Sequence, residues 1–186
     1  MRPVAVLGGG GHARVVIDML RLASRDILGV IDPKLDVALP SGVRHLGADM
    51  SVLAPADCEL VMGVGSIDVG SRNPRPRLFA EAKAMGFAFS SLRHPSAVMA
   101  SDVEIGEGVQ IMAGAVVQTG GFIGRNVIVN TSASIDHDCR IGDHVHIAPG
   151  VIVSGNVSVG DGVHLGTGAI VIQGIVVSAG AMVGAG

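Results

Sequence analysis

Apolar residues in the second half of the chain recur with a period of six. From residue 97 to residue 186 the sequence divides without a gap into fifteen hexapeptides, beginning with AVMASD, VEIGEG and VQIMAG. The third position of every hexapeptide is apolar, and the first is Val, Ile, Ala, Cys or Gly. Inward side chains two residues apart fit a β-strand, whereas a helix repeats about every 3.6 residues. The pattern therefore predicts a solenoid of short parallel strands.

A period of eighteen residues is nested inside the period of six. An Ile-Gly or Val-Gly pair begins at residues 105, 123, 141 and 159, so three hexapeptides make one coil and the repeat makes five coils. Neighbouring coils should stack about 4.8 Å apart, as strands in a sheet do. The sixth position of the same hexapeptides holds residue types that tolerate positive φ, which predicts a left-handed corner there. These residues are Gly108, Asn126, His144, Gly162 and Gly180.

Before the repeat, short apolar runs alternate with a helical pattern. The first run stops at four consecutive glycines, and apolar residues at helical spacing follow it. Such alternation predicts a small parallel α/β sheet, with ligands outside the carboxyl ends of its strands. The predicted strands are residues 4–7, 27–31 and 60–65, with one helix after the glycines and a second over residues 77–85.

The glycine-rich turn carries a short phosphate-binding motif. Gly8, Gly10 and Ala13 match G-x-G-x-x-[GA], and Asp32 lies nineteen residues beyond Ala13, near the position that binds ribose in dinucleotide enzymes. A full dinucleotide fold needs two such halves, whereas about 90 residues precede the repeat. A mononucleotide or a nucleotide-sugar is therefore a better ligand than NAD, and a tight turn without a ligand is the alternative interpretation.

Two more residues are predicted at the same crevice. His12 directly follows the glycines at the helix start, where backbone amides can hold a phosphate. Ser66 follows the third strand, whose carboxyl end faces the crevice on the same topological argument. The alternative for His12 is a polar residue that only opens the helix.

Composition argues against several classes of protein. The 186-residue chain has a net charge of -3, no basic run, and four Phe with no Trp or Tyr, which disfavours nucleic-acid binding. No apolar stretch approaches the roughly 18 to 20 residues of a membrane helix, and the start lacks a secretory signal, so a cytoplasmic protein is expected. Two cysteines far apart do not suggest a disulfide framework, and Cys139 falls in an inward position as a small core residue.

Most titratable residues of the repeat gather in one stretch. His137 occupies a fifth position that is Thr119 one coil earlier and Gly155 one coil later, so its side chain should point outward at a corner beside a glycine. Asp136 and Asp138 flank it. A histidine beside a carboxylate suits general-base catalysis, and a glycine amide can stabilise an oxyanion. A solvent-facing histidine without a role is the alternative.

The other histidines of this stretch are separated by the repeat register. His146 and His164 share a second position eighteen residues apart, so they should lie on adjacent coils about 5 Å apart at the backbone. His144 occupies the corner position of Gly108 and Asn126, for which a role in the turn suffices.

Several segments together resemble one known family. GGGGHARVV, VIDP, HPSAV and NTSASIDHDCRIGDHVHIAPGVIVSGN, taken in order, look like the sugar acetyltransferases of the PglD/NeuD type. The resemblance covers nearly all of the chain. It implies a Rossmann-like α/β half domain that binds a nucleotide-sugar, over residues 1–94, and a left-handed parallel β-helix that binds acetyl-CoA and carries the catalytic site, over residues 95–186.

The resemblance also implies roles for individual residues. His137 would be the general base and the following acid, Asp138, its support; the best-known N-acetyltransferases have Glu there, so Asp136 could share that role. His146 would contact the thioester region of acetyl-CoA, with His164 beside it, and the Gly155 amide would bind the carbonyl oxygen. Asn130 would lie near the acceptor. Residues implied near the nucleotide-sugar are Gly10, Gly11, His12, Asp32 and Ser66.

The function implied is transfer of acetyl from acetyl-CoA to an amine, expected to be a 4-amino group, of a UDP- or GDP-linked deoxysugar. O-acetylation of a sialic-acid-like sugar is the alternative within the class. No metal is expected, and a homotrimer with sites between subunits is implied. Family members usually continue beyond the position of Gly186, so either the chain is truncated or the adenine end of CoA is held differently.

Two interpretations from other classes stay open at this point. Trimeric β-helix carbonic anhydrases bind zinc through three histidines across a subunit interface, and His144, His146 and His164 could be interpreted that way. A non-catalytic protein that senses nucleotide-sugars is the second.

Overall fold

The computed structural model describes residues 2–65 and 73–186. Within these residues the chain forms two compact units, one made of residues 2–65 and 74–91 and the other of residues 73 and 92–186. The first unit contains the predicted α/β sheet, and the second contains the repeat. The nucleotide-binding and catalytic roles assigned to the two halves of the chain stay predictions.

The first unit is a four-stranded parallel sheet with two helices. The sheet order is β3-β2-β1-β4, so the chain crosses from one side of β1 to the other between β3 and β4. A 3₁₀ helix, Met50–Val52, follows β3. The elements are β1 (Val4–Leu7), α1 (Gly11–Leu22), β2 (Ile27–Ile31), β3 (His45–Gly47), β4 (Glu59–Met62) and α2 (Pro74–Ala84).

Burial explains these elements. All four residues of β1 are buried, as expected for a central parallel strand, and α1 turns an apolar stripe of Ala13, Val16, Ile17 and Leu20 into the core. The bounds predicted for β1 and β2 are confirmed. Helix α2 begins three residues earlier than predicted because Pro74 suits a first helical position.

Three sequence expectations differ from the structure or lie outside it. The third predicted strand ends at Met62 rather than at Gly65. Strand β3 was not predicted, because its three half-buried residues form no apolar run. Ser66 lies outside the described residues.

In the second unit each hexapeptide contributes one strand of two residues, at its second and third positions. One further strand, β5 (Leu92–Arg93), precedes them. The fifteen strands are β6 (Val98–Met99), β7 (Glu104–Ile105), β8 (Gln110–Ile111), β9 (Val116–Val117), β10 (Phe122–Ile123), β11 (Ile128–Val129), β12 (Ser134–Ile135), β13 (Arg140–Ile141), β14 (His146–Ile147), β15 (Ile152–Val153), β16 (Ser158–Val159), β17 (His164–Leu165), β18 (Ile170–Val171), β19 (Val176–Val177) and β20 (Met182–Val183).

These strands stack into three parallel sheets. The first sheet is β7-β10-β13-β16-β19, the second is β5-β8-β11-β14-β17-β20, and the third is β6-β9-β12-β15-β18. Every pair within the repeat is eighteen residues apart, as Ile123 with Ile141 illustrates. The predicted parallel β-helix with three hexapeptides to a coil is confirmed.

The interior of the coil is filled by the first and third positions of the hexapeptides. Val145 and Ile147, for example, are fully buried in one continuous apolar cluster. Each such side chain contributes about 1.5–3 kcal/mol when it leaves water. Burial is lower where stacking ends, and Val183 in the last coil is only partly buried.

Each sheet is followed by a corner, which we number by the sheet that precedes it. The predicted positive φ of the first corner is confirmed at all five positions, including 57° at Asn126 and 60° at His144. The same conformation recurs at the sixth position of the other corners, at Ser132 in the second and Asp138 in the third. In this triangular coil, the second sheet is the side opposite the third corner.

Candidate active site

The predicted catalytic residues lie together at the third corner, between β12 and β13. His137 Nδ1 lies 2.9 Å from Asp138 Oδ2, so an Nδ1–H can donate to this carboxylate and leave Nε2 as a proton acceptor. The backbone N–H of His137 donates to Asp136 Oδ1 over 2.8 Å. Asp138 therefore contacts the ring, whereas Asp136 contacts the backbone that carries it.

The charge of the corner favours protonation of its histidine. The hydrogen bond to Asp138, and then the negative charges of Asp136 and Asp138, raise the pKa of His137 above its ordinary value of 6.5. Both the imidazole and the Asp138 carboxylate are well exposed. A base with a raised pKa binds the proton of a nucleophile more strongly than a free imidazole does.

Gly155, at the same position one coil later, packs against the His137 ring. A Cβ built on Gly155 would lie 2.6 Å from His137 Nε2, so only glycine lets the ring occupy this place. At several other fifth positions the amide is capped, as Thr131 N–H is by Asn130 Oδ1 over 2.8 Å. Within the described part of the chain, the Gly155 N–H donates to no acceptor. It is therefore a donor beside Nε2 that is available to a ligand.

A second group of predicted residues lies on the second sheet and its corner. Asn130 Nδ2 lies 3.1 Å from His146 Nε2. His146 is buried, and its ring meets that of His164 edge to face, with 4.8 Å between the ring centroids. The predicted stacking of the two histidines on adjacent coils is confirmed by the pairing of β14 with β17.

The two groups do not meet within one chain. His137, Asp136, Asp138 and Gly155 occupy the third corner, and Asn130, His146 and His164 occupy the second corner and second sheet. Because that sheet is the side opposite the third corner, the solenoid core separates the two groups. A site that uses both must take them from two chains.

Within the described residues of one chain, the three histidines do not gather into a metal-binding cluster. His144 lies at the first corner, where its Nδ1 is 2.9 Å from Asn126 Nδ2, as the turn role predicted from sequence requires. No group of three or more His, Cys, Asp or Glu side chains with metal-binding geometry occurs in residues 2–65 and 73–186. The interpretation as a zinc enzyme through His144, His146 and His164 is not supported.

In the first unit, the predicted nucleotide residues that the structure describes follow the carboxyl ends of β1 and β2. Gly10 caps α1 without a side-chain hydrogen bond, so the amides of the first helical turn, from Gly11 onward, can bind an anion. The Asp32 carboxylate accepts the Gly9 N–H over 2.7 Å. A Cβ on Gly65 would lie 3.3 Å from the His12 Cβ, which places His12 beside the end of β4.

A cleft of about 350 Å³ opens next to Asp32. Its walls are largely apolar, and its polar groups come from Asp32 and from three residues that sequence reasoning missed. Asp49 was not predicted because it follows β3, which was not predicted either. Its carboxylate accepts the Ser51 N–H over 2.8 Å, and the Asp-x-Ser sequence that allows this turn was the available signal. The three missed residues are Asp49, Arg77 and Glu81.

A buried arginine lies behind this cleft. Arg75 Nη1 donates to the Val64 carbonyl over 2.7 Å, which ties the start of α2 to the chain just after β4. Burial lowers the pKa of Arg75 to about 9. No feature of the sequence distinguishes Arg75 from its exposed neighbour Arg77, so this tie could not be predicted.

One more residue beside the third corner was missed. Arg140 follows Cys139 on the outer face of the first sheet and lines two hollows of about 390 and 190 Å³. The sequence signal was an arginine at the second position of its hexapeptide, three residues after the proposed base.

A parallel β-helix of hexapeptide repeats that follows a small parallel α/β unit is the architecture of the hexapeptide-repeat acyltransferases. Two family models match: the PglD N-terminal domain over residues 3–73 and the bacterial transferase hexapeptide (six repeats) over residues 120–155. Comparison with curated protein sequences gave no match.

Three solved structures illustrate the likeness, and each covers 100% of this chain. PerB from Caulobacter crescentus, in complex with CoA and GDP-perosamine, is 38% identical with a TM-score of 0.90 over 87% of its own chain. The acetyltransferase domain of PglB from Neisseria gonorrhoeae FA1090, with acetyl coenzyme A, is 35% identical with a TM-score of 0.90 over 89%. WeeI from Acinetobacter baumannii AYE is 25% identical with a TM-score of 0.80 over 95%.

The chain belongs to the PglD/NeuD-type sugar acetyltransferase family. This confirms the predicted fold class, enzyme class and acetyl-CoA cosubstrate. Within the described residues, neither α1 nor α2 is long and apolar enough to cross a membrane.

Proposed function

We propose that this chain acetylates the amine of a nucleotide-linked amino sugar at the third corner of its solenoid, with the nucleotide bound at the strand ends of the first unit. The observation that carries the proposal is the Gly155 N–H, which is open to a ligand and belongs to the residue against which the His137 ring lies. A base and an oxyanion donor at one point are the two groups that direct acyl transfer needs.

In the proposed reaction, the sugar nitrogen attacks the carbonyl carbon of the thioester. His137 Nε2 takes a proton from that nitrogen, and Asp138 holds the Nδ1–H and stabilises the imidazolium. The Gly155 N–H donates to the carbonyl oxygen as it becomes negative. The carbon–sulfur bond then breaks, and the proton on His137 passes to the CoA thiolate. Because thiolate is a competent leaving group, no covalent enzyme intermediate is needed.

The acceptor is proposed to be a nucleotide-linked 4-amino sugar. Support comes from the uncapped helix start and Asp32 in the first unit, and from the similarity to PerB, whose structure holds CoA and GDP-perosamine. His12 and Gly11 are proposed to contact the diphosphate, and Ser66 to lie nearby. The cytoplasmic location predicted from sequence stays a prediction.

We further propose that the enzyme is a homotrimer with its sites between subunits. His137 with Gly155 and Asn130 with His146 lie on opposite sides of one coil. Neighbouring subunits around a threefold axis can bring the two groups together. Each site would then join the base of one chain to the thioester-contacting residues of the next, with His164 behind His146.

The decisive experiment follows thiol release from acetyl-CoA with a panel of acceptors. The panel contains UDP-, GDP- and dTDP-linked 4-amino sugars, the matching 4-hydroxy sugars, and free sialic acid. We expect turnover with one or more amino sugars, and His137→Ala should reduce kcat by roughly 10²–10⁴-fold, the usual contribution of a general base. Mass spectrometry should place the acetyl group on nitrogen.

A matched control comes from the same coil. His144→Asn puts at the first corner the residue type found one coil earlier at Asn126, so its turnover should stay at the wild-type level. Equal turnover in His137→Ala would refute the base assignment. Acetylation of sialic acid alone would replace the amine with a hydroxyl acceptor, and nucleotide binding without any thiol release would establish a sensor instead.

A further inference from the structure

Among the first positions of the hexapeptides, which face the solenoid interior, one carries a side chain that can donate a hydrogen bond. Of the fifteen first positions, only position 139 holds a residue with a polar hydrogen; the others are Val, Ala, Gly or Ile. Cys139 is fully buried in the apolar core. Its Sγ lies 3.2 Å from the Ser154 carbonyl oxygen and 3.7 Å from that of His137, so Ser154 is the nearer acceptor for the thiol.

That carbonyl belongs to the peptide unit that carries the proposed oxyanion donor. In a trans peptide the C=O of one residue and the N–H of the next point in opposite directions, and the described chain contains no cis peptide. Because the Ser154 carbonyl faces the interior thiol, the Gly155 N–H faces away from the core. The imidazole of His137 lies on that outer side, against Gly155.

The thiol is suited to hold this peptide. Burial raises the pKa of Cys139, so the group keeps its hydrogen at neutral pH and remains a donor. An inward carbonyl without a donor would leave a buried polar group unsatisfied. The Ser154–Gly155 peptide could then turn its carbonyl toward water, which would swing the Gly155 N–H away from the reacting oxygen.

We propose that Cys139 is a positioning residue for acyl transfer: its hydrogen bond to the Ser154 carbonyl fixes the direction of the Gly155 N–H. The inference rests on the proposed function, in which that N–H stabilises the oxyanion. Cys139 contacts neither substrate. It acts on catalysis only through the orientation of the Ser154–Gly155 peptide.

The test replaces the donor without emptying the core. In Cys139→Val the new side chain matches Val157, the residue at the same position one coil later, so the fold should persist. We expect kcat to fall about tenfold, less than the 10²–10³ for complete loss of an oxyanion donor, because the amide remains but is no longer held. The KM for acetyl-CoA and for the amino sugar should change by less than about twofold, since the lost interaction acts in the transition state.

Cys139→Ser restores a donor in the same place and should recover most of the lost kcat. The acid limb of the pH profile should not move in either variant, because the contact between His137 and Asp138 is intact. Val127→Ala is the packing control: it removes apolar volume from a fully buried first position at a different corner. If general loosening lowered kcat, this variant would lose at least as much.

The outcomes separate this inference from the function on which it rests. Wild-type turnover in His137→Ala would overturn the proposed function itself. If His137→Ala is inactive but Cys139→Val keeps the wild-type kcat, only the positioning role is overturned. A serine variant no better than the valine variant would also overturn it, since the hydrogen bond would then be irrelevant.

Discussion

Two aspartates flank His137, and the structure gives each a different partner. Asp138 accepts from the ring, and Asp136 accepts from the backbone N–H of His137. Asp138 can reach back to the ring from the sixth position of the corner, where its φ is 59°. The choice between two adjacent carboxylates is therefore made by the backbone conformation of the corner.

A pH profile tests this difference. A general base acts in its neutral form, so kcat/KM should fall as pH drops through the pKa of His137, which lies above 6.5 because Asp138 and Asp136 raise it. Asp138→Asn removes the main cause of the increase, so the pKa should decrease and the acid limb should move to lower pH. The plateau of kcat/KM should also fall by about tenfold, as the imidazolium loses its ionic partner.

Asp136→Asn is the matched control, and it should shift the limb less, because Asp136 acts on the ring by charge alone. The profiles are measured between about pH 5 and 9, with free-thiol release as the readout. A limb that stays in place in Asp138→Asn would mean that this carboxylate does not set the pKa of the base.

At this scale the register predicts positions but not rotamers. The eighteen-residue repeat places His137 one coil below Gly155, and a built Cβ at Gly155 confirms how closely the ring approaches. The same arithmetic says nothing of the bond between Asn130 and His146, because it depends on side-chain torsions.

At the scale of one element, the first corner shows why the Ile-Gly pairs recur. Arg125 N–H donates to Asp143 Oδ1, and Asp143 N–H donates to Asp161 Oδ1, each over 2.7 Å, so carboxylates link successive coils. At these hydrogen bonds the backbones of successive coils lie close together. A Cβ on Gly142 would lie 2.8 Å from Asp161 N and 2.9 Å from Gly160 C. The glycine is thus required by the spacing of the coils, since its own φ is not in the left-handed region.

Gly142→Ala should therefore destabilise the solenoid through a clash with backbone. The expected loss is about 1–3 kcal/mol in the free energy of unfolding, the usual cost of overpacking a site that cannot move. Gly184→Ala is a close control: Gly184 has the same fourth position in the last coil, where a new Cβ meets nothing within 4 Å. Denaturant midpoints of both variants measure the difference, and equal midpoints would show that the coils can separate to admit the methyl group.

Elements with a strong local pattern were predictable, and those formed by distant pairing were not. The bounds of β1 and β2 follow from apolar runs, and fifteen strands follow from one repeat. Strand β3 forms because its three residues pair with the edge of β2. The sequence His45–Gly47 contains no pattern that predicts this pairing. Because β3 was not predicted, the cleft residue Asp49 that follows it was not predicted either.

At the scale of the whole molecule, the arrangement of the two residue groups determines what one chain can do alone. The proposed base, His137, and the open Gly155 amide occupy the third corner, while Asn130 and His146 lie across the core. If catalysis needs both groups, a single chain holds two halves of different sites. Sequence periodicity implies this geometry only after the coil is known to be triangular.

Mixed trimers test the shared site directly. His137→Ala and His146→Ala chains carry different tags, are co-expressed, and are purified through both tags so that only mixed trimers remain. In a cyclic trimer of either composition, one interface of three joins an intact His137 to an intact His146, so the expected turnover is about one third of wild type. Asn130→Ala replaces His146→Ala if loss of the buried imidazole prevents folding. Each variant paired with a differently tagged copy of itself should stay inactive, and inactive mixed trimers would show that both groups do not serve one site between subunits.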